Sequence, residues 1–148
     1  MHINMEGTSS GHLRARVRKS NSDVTDTNYY GSCSGTYAGT STTEWNGRNW
    51  QDDHFAFGGW NLPNDTTNQH DTVNVEFTLF DPLKTTHSGR TIITYQGGGW
   101  ERADTYTYSM QGIHLHNDAS AISGLTFYNS SSSNFRDGTR LVVYGIKT

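Results

Sequence analysis

Val73-Asn74-Val75-Glu76-Phe77-Thr78-Leu79 alternates apolar and polar side chains without a break, and Asp81-Pro82 follows. Period-two alternation puts Val73, Val75, Phe77 and Leu79 on one face of a strand and Asn74, Glu76 and Thr78 on the other. Proline cannot donate to a ladder, so the strand ends there. Upstream, Leu13, Ala15 and Val17 alternate with Arg14, Arg16 and Arg18 in a short amphipathic strand with a basic face. Downstream, 91–95, 105–108, 112–116, 122–128 and 140–146 are short β-branched or aromatic runs. Gly97-Gly98-Gly99, Asn117-Asp118 and a serine-rich turn separate them.

Helix signals are almost missing, because no window repeats apolar residues at i, i+3, i+4 and i+7. Many short strands with polar turns and no intervening helix specify an all-β, single-domain antiparallel sandwich, and the strand number fits a jelly roll. Residues 1–19 read as an N-terminal arm with the basic strand, and 20–148 as the sandwich. Between 20 and 72, where Gly, Ser, Thr and Asn dominate, the reading gives one or two strands joined by long loops. Phe55, Ala56 and Phe57 are the core-directed residues there.

Leu, Ile, Val and Phe together supply only 25 of the 148 residues, but 8 Tyr and 4 Trp add large apolar area with polar handles. A net charge of −3 is too small to hold the chain unfolded. The expectation is a folded domain with a small, aromatic-rich core, for which further burial against a partner is attractive. Cys33 is the single cysteine, which excludes an intrachain disulfide. No segment approaches the ~18 apolar residues of a membrane span, and Met1 to Lys19 holds no apolar run of the signal-peptide kind. A soluble protein with no membrane partner is expected.

The segment from Val73 to Lys147 resembles the C-terminal half of a family of small bacteriophage virion proteins. Their penultimate strand has the form Ile-x-x-Leu-x-Phe. A Ser-rich turn with Asn-Phe follows, and then a last strand Gly-Ser/Thr-x-Leu-x-x-Tyr-Gly-Ile. Ile122, Leu125, Phe127, Asn134, Phe135, Gly138, Thr139, Leu141, Tyr144, Gly145 and Ile146 carry the match. The resemblance implies a non-enzymatic, jelly-roll-like protein on the surface of the virion, made in the host cytoplasm. Such proteins sit on capsids or tails as oligomers, and the expectation for this chain is a homotrimer that decorates or cements the capsid by binding across subunits of the major capsid protein. A tail-fibre receptor-binding or carbohydrate-binding module is the alternative, with a glycan as partner.

The signature contains no chemistry, so contacting residues must come from upstream. Arg14, Arg16, Arg18 and Lys19 hold four of the eleven basic residues and suit docking on an acidic surface. Protection of an exposed edge strand would use the same residues. An overall pI near 6.1 argues against nucleic acid. Trp45, Trp50 and Trp60 cluster with Phe55 and Phe57 among amides and carboxylates, a composition that serves a core, a protein interface or a sugar site.

His114-Leu115-His116 with Asp118 is the strongest metal pattern, since alternation puts all three on one strand face. A fuller ligand set would need upstream histidines, and two solvent-facing histidines on a half-buried strand are the simpler expectation. No cofactor is expected. Gly31-Ser32-Cys33-Ser34-Gly35 has the outline of a nucleophile elbow but lacks the following helix, and reads as a flexible loop. Asp52-Asp53-His54 offers no acid/base pair whose environments sequence could distinguish.

Overall fold

A computed structural model describes residues 2–3, 12–39, 42–57, 72–80, 82–83, 90–101, 106–130 and 142. Within them the strands are β1 (His2–Ile3), β2 (Leu13–Lys19), β3 (Ser22–Asp23), β4 (Tyr29–Ala38), β5 (Thr42–Asp52), β6 (Phe55–Ala56), β7 (Thr72–Phe80), β8 (Thr91–Glu101), β9 (Tyr106–His116) and β10 (Gly124–Asn129). They form two antiparallel sheets that pack into a β-sandwich, the class expected from the sequence. The larger sheet has the order β1-β7-β8-β9-β4-β5. In the smaller one, β2 pairs with β10 along one side, and with β3 and β6 in succession along the other. Among the described residues no helix is long and apolar enough to cross a membrane.

Several local expectations are corrected. The glycine run 97–99 does not interrupt a strand: β8 continues through it, with Gly97 opposite both Val75 and Met110. Ladders on both sides outweigh the poor strand propensity of glycine. The runs at 105–108 and 112–116 belong to one strand, β9. Residues 31–35 are not a loop but the centre of β4, paired with β5 and β9. β2 is no edge strand, because both its sides are paired, so the edge-protection reading of its arginines fails. The last expected strand, 140–146, lies outside the described residues except for Val142, and so do the signature residues from Asn134 to Ile146.

The core lies between the sheets. Leu13, Ala15 and Val17 face inward from β2, opposite Val75, Ile93, Tyr95, Tyr108 and Met110 of the larger sheet. Phe57 is its hub, with ring centroids 4.7 Å from Phe77, 5.1 Å from Tyr95, 5.6 Å from His114 and 6.2 Å from Phe127. Edge-to-face rings replace the aliphatic volume that the composition lacks.

Tyr29 repairs a gap in the smaller sheet. Among the described residues, the side of β2 that pairs with β3 and β6 has no strand partner at Val17, and the buried Tyr29 hydroxyl fills that place. It accepts from the Val17 amide at 3.1 Å and donates to the Val24 carbonyl at 2.8 Å. Two backbone groups that burial would otherwise orphan are satisfied.

Two turns have positive φ. Ser20 (48°) and Asn21 (67°) make the two-residue hairpin between β2 and β3, a type I′ geometry matched to strand twist. Gln51 (53°) is the extra residue where the β4–β5 register shifts between Tyr29↔Asp52 and Tyr30↔Trp50. This bulge lies where the chain leaves the larger sheet, and Asp53 and His54 follow it on the way to β6 of the smaller one.

Candidate functional site

Three surfaces hold chemistry: the layer between the sheets, the outer face of the smaller sheet and the outer face of the larger. Between the sheets, His114 and His116 do share one face, but that face is the core, where they are 1% and 0% exposed. The solvent-facing expectation is overturned, because β9 has sheet neighbours on both sides and the smaller sheet above its inner face.

His114 stacks on Tyr95 with centroids 5.5 Å apart and planes 14° apart, walled by Phe55 and Phe57. The carbonyls of Ala56 and Tyr30 face the ring. Among the described residues neither ring nitrogen has a partner of hydrogen-bond geometry. Burial therefore pulls its pKa down to about 4. The ring occupies space that only glycine leaves open, since a Cβ on Gly31 would stand 1.8 Å from His114 Nδ1.

His116 approaches Asp26 Oδ1 at 3.1 Å through Nε2 and packs on Tyr29 at 4.5 Å. Burial lowers its pKa, with Asp26 opposing the shift. Asp118 pairs with Lys19, which holds its carboxyl well below the usual range. His114, His116 and Asp118 thus do not converge as a ligand set among the described residues. Asp52, Asp53 and His54 do bring ligand atoms within 4.8 Å of one another. That trio is a hydrogen-bonded network: His54 Nδ1 contacts Asp53 at 2.6 Å and Asp52 at 3.1 Å, and Asp53 is also bridged by Arg16. His54, with Arg16 behind it, lowers the Asp53 pKa.

On the smaller sheet, Arg14, Arg16 and Arg18 point away from the core as a stripe down β2. They stand opposite Tyr128, Thr126 and Gly124 of β10. Arg16 lies over the Tyr128 ring with its guanidinium carbon 5.0 Å from the centroid. Arg18 is near Asp23 at 3.8 Å, and Lys19 leaves the stripe for Asp118. The basic residues are therefore ordered by neighbours and form one half-buried face with Tyr128.

The outer face of the larger sheet is assembled by register between strands and not by any one stretch of sequence. Here Asn74, Gly98, Ser109, Thr36 and Glu44 form one row across five strands, and Glu76, Gln96, Gln111, Ser34 and Asn46 form the next. Cross-strand bonds order them. Gln96 Nε2 donates to Glu76 at 3.2 Å, Gln111 Nε2 to Ser34 at 3.5 Å, and the Thr36 and Ser109 hydroxyls meet at 2.9 Å.

These rows line a concave groove of about 810 Å³, and a second hollow of about 750 Å³ shares several of its residues and reaches Ile113. Towards one end the face turns apolar, with Ile113 48% and Phe80 45% exposed beside Ile92, Leu115 and Tyr30. The clue was the polar phase of β7, but its partners were hidden because 31–35 and 97–99 looked like breaks.

Of the tryptophans, the backbones of Trp45 and Trp50 pair with Gly35 and Tyr30 on β5, an edge strand, while Trp60 lies outside the described residues. Phe55 and Phe57 are core. No known protein family, curated protein or solved structure matches this chain.

Proposed function

We propose that this chain is a non-enzymatic structural protein of a bacteriophage particle, a jelly-roll-type decoration protein that docks as a homotrimer across subunits of the major capsid protein. The observation that carries the reading is the stripe of Arg14, Arg16 and Arg18 beside Tyr128 on the outer face of the smaller sheet. Arginine and tyrosine are the residue types that interface cores favour, and an arginine stripe suits an acidic surface. Asp23 and Asp53 hold the guanidinium groups of Arg18 and Arg16 in place, so little side-chain entropy is lost on docking.

Groups with catalytic potential are committed to structure. His114 is walled in by rings, His116 leans on Asp26, and Asp53 is clamped between His54 and Arg16. The C-terminal resemblance supplies the address. Copy-to-copy contact would bury the exposed Phe80, and symmetric clustering would multiply individually weak contacts.

The test is reassembly. Chain stripped from particles is returned to the shells, and bound protein and shell melting are measured. Wild type is expected to rebind and raise shell stability, while a folded Arg14→Ala/Arg18→Ala variant rebinds at least tenfold more weakly. Wild type that does not rebind, or a variant that rebinds equally well, would overturn the proposal.

A further inference from the structure

The larger sheet's groove faces away from the arginine stripe, on the opposite outer surface of the sandwich, and its chemistry differs. We infer that this groove, formed across β7, β8, β9, β4 and β5, is a binding site for a neutral oligosaccharide. Neighbouring strands stand ~4.8 Å apart, so five strands offer polar groups at regular steps over a span of roughly 20 Å. That suits an extended chain of sugar rings lying across the strands.

The side chains fit hydroxyl recognition. Gln96, Gln111 and Asn46 each present a donor and an acceptor, Ser34 can serve as either, and Glu44 and Glu76 accept strong hydrogen bonds. A sugar hydroxyl needs this mixture because it gives one hydrogen bond and accepts others. Among the described residues the lining holds two carboxylates and no lysine or arginine. Those carboxylates disfavour phosphate, sulfate and uronate groups and favour uncharged sugars.

Preorganisation favours binding as well. The Gln96–Glu76 and Gln111–Ser34 bonds fix amides that would otherwise lose rotamer freedom when a ligand arrives. The second hollow carries the groove to the exposed Ile113, a surface for the apolar face of a sugar ring. The size lies within the range of small-ligand sites.

This inference goes beyond the capsid proposal and fails separately from it, since rebinding to shells is not measured here. The full chain is run in affinity electrophoresis through soluble β-glucan, mannan, xylan, galactan and dextran. Heparin and polygalacturonate serve as charged comparators. At least one neutral polysaccharide is expected to retard it, and the anionic polymers are not. Gln96→Ala/Gln111→Ala is expected to weaken that retention at least tenfold with an unchanged circular dichroism spectrum and melting temperature. Should the double variant misfold, Asn46→Ala at the edge strand replaces it, with a smaller loss expected. Absence of retardation by every neutral polysaccharide, retention by the anionic polymers alone, or folded variants that bind like wild type would each overturn the inference.

Discussion

His114 should make the fold sensitive to mild acid. The ring is 1% exposed and sits between Tyr95 of the larger sheet and Phe55 and Phe57 of the smaller-sheet side, with Gly31 leaving room beneath it. His54 is the titratable group that opposes its protonation electrostatically, and the facing Ala56 and Tyr30 carbonyls favour it without outweighing burial. In the folded chain the ring titrates at about 4, whereas an unfolded histidine titrates at ~6.5. The unfolded state therefore binds the proton first. Stability from this group is complete above pH ~6.5 and drains away as pH falls towards 4.

A gap of ~2.5 units corresponds to a limiting loss of roughly 3 kcal/mol, of which about 2.5 kcal/mol falls between pH 7.5 and 4.5. His116, also lowered by burial, acts in the same direction. Asp53 and Asp118 have lowered values, so their contributions are lost only at more acidic pH. Urea unfolding at pH 7.5, 6.5, 5.5 and 4.5 measures the slope. His114→Phe keeps a flat ring without a titrating nitrogen and should flatten the curve by about 2.5 kcal/mol over the interval. Parallel curves for wild type and variant, or a His114 ring titrating near 6.5 in an NMR pH series, would refute the reasoning.

Gly31→Ala should destabilise by about 1–3 kcal/mol through overpacking, because its Cβ would collide with the His114 ring. A double-mutant cycle with His114→Ala should recover much of that loss, and additive effects would contradict the contact. Tyr29→Phe, read by thermal or urea unfolding, should cost about 1–3 kcal/mol, since Val17 N–H and Val24 C=O lose their shared partner. Asn21→Gly should be neutral or raise stability by up to about 0.5 kcal/mol, because Asn21 has φ of 67° in the β2–β3 turn.

The strands that could be read from sequence were those whose alternation is intact. In β7 and β2 each side chain's face follows from its phase, and the structure places Val75, Leu13, Ala15 and Val17 inside accordingly. β4 and the far half of β8 could not be read, because glycine and serine carry weak strand preference. Their extended form comes from ladders on both sides, a property of the partners and not of the segment. The same lack of local information hid the polar groove, whose residues come from five strands and meet only through register.

Alternation puts His114 and His116 on one face, whereas their polarity points that face to solvent. Which face became core was settled by the hydrophobic residues of the opposite sheet. For the arginines, alternation locates the stripe, whereas Asp23 comes from the short strand β3 and Asp53 and Asp118 from connecting segments that local pattern does not reach.

The proposed virion role is tested most directly by a particle reconstruction that resolves this chain. The expected result is a trimer with Arg14, Arg18 and Tyr128 against the major capsid protein and the Gln96–Gln111 groove facing outward to solvent. A chain that is missing from the particle, or seated with that groove against the capsid and the arginine stripe outermost, would contradict it.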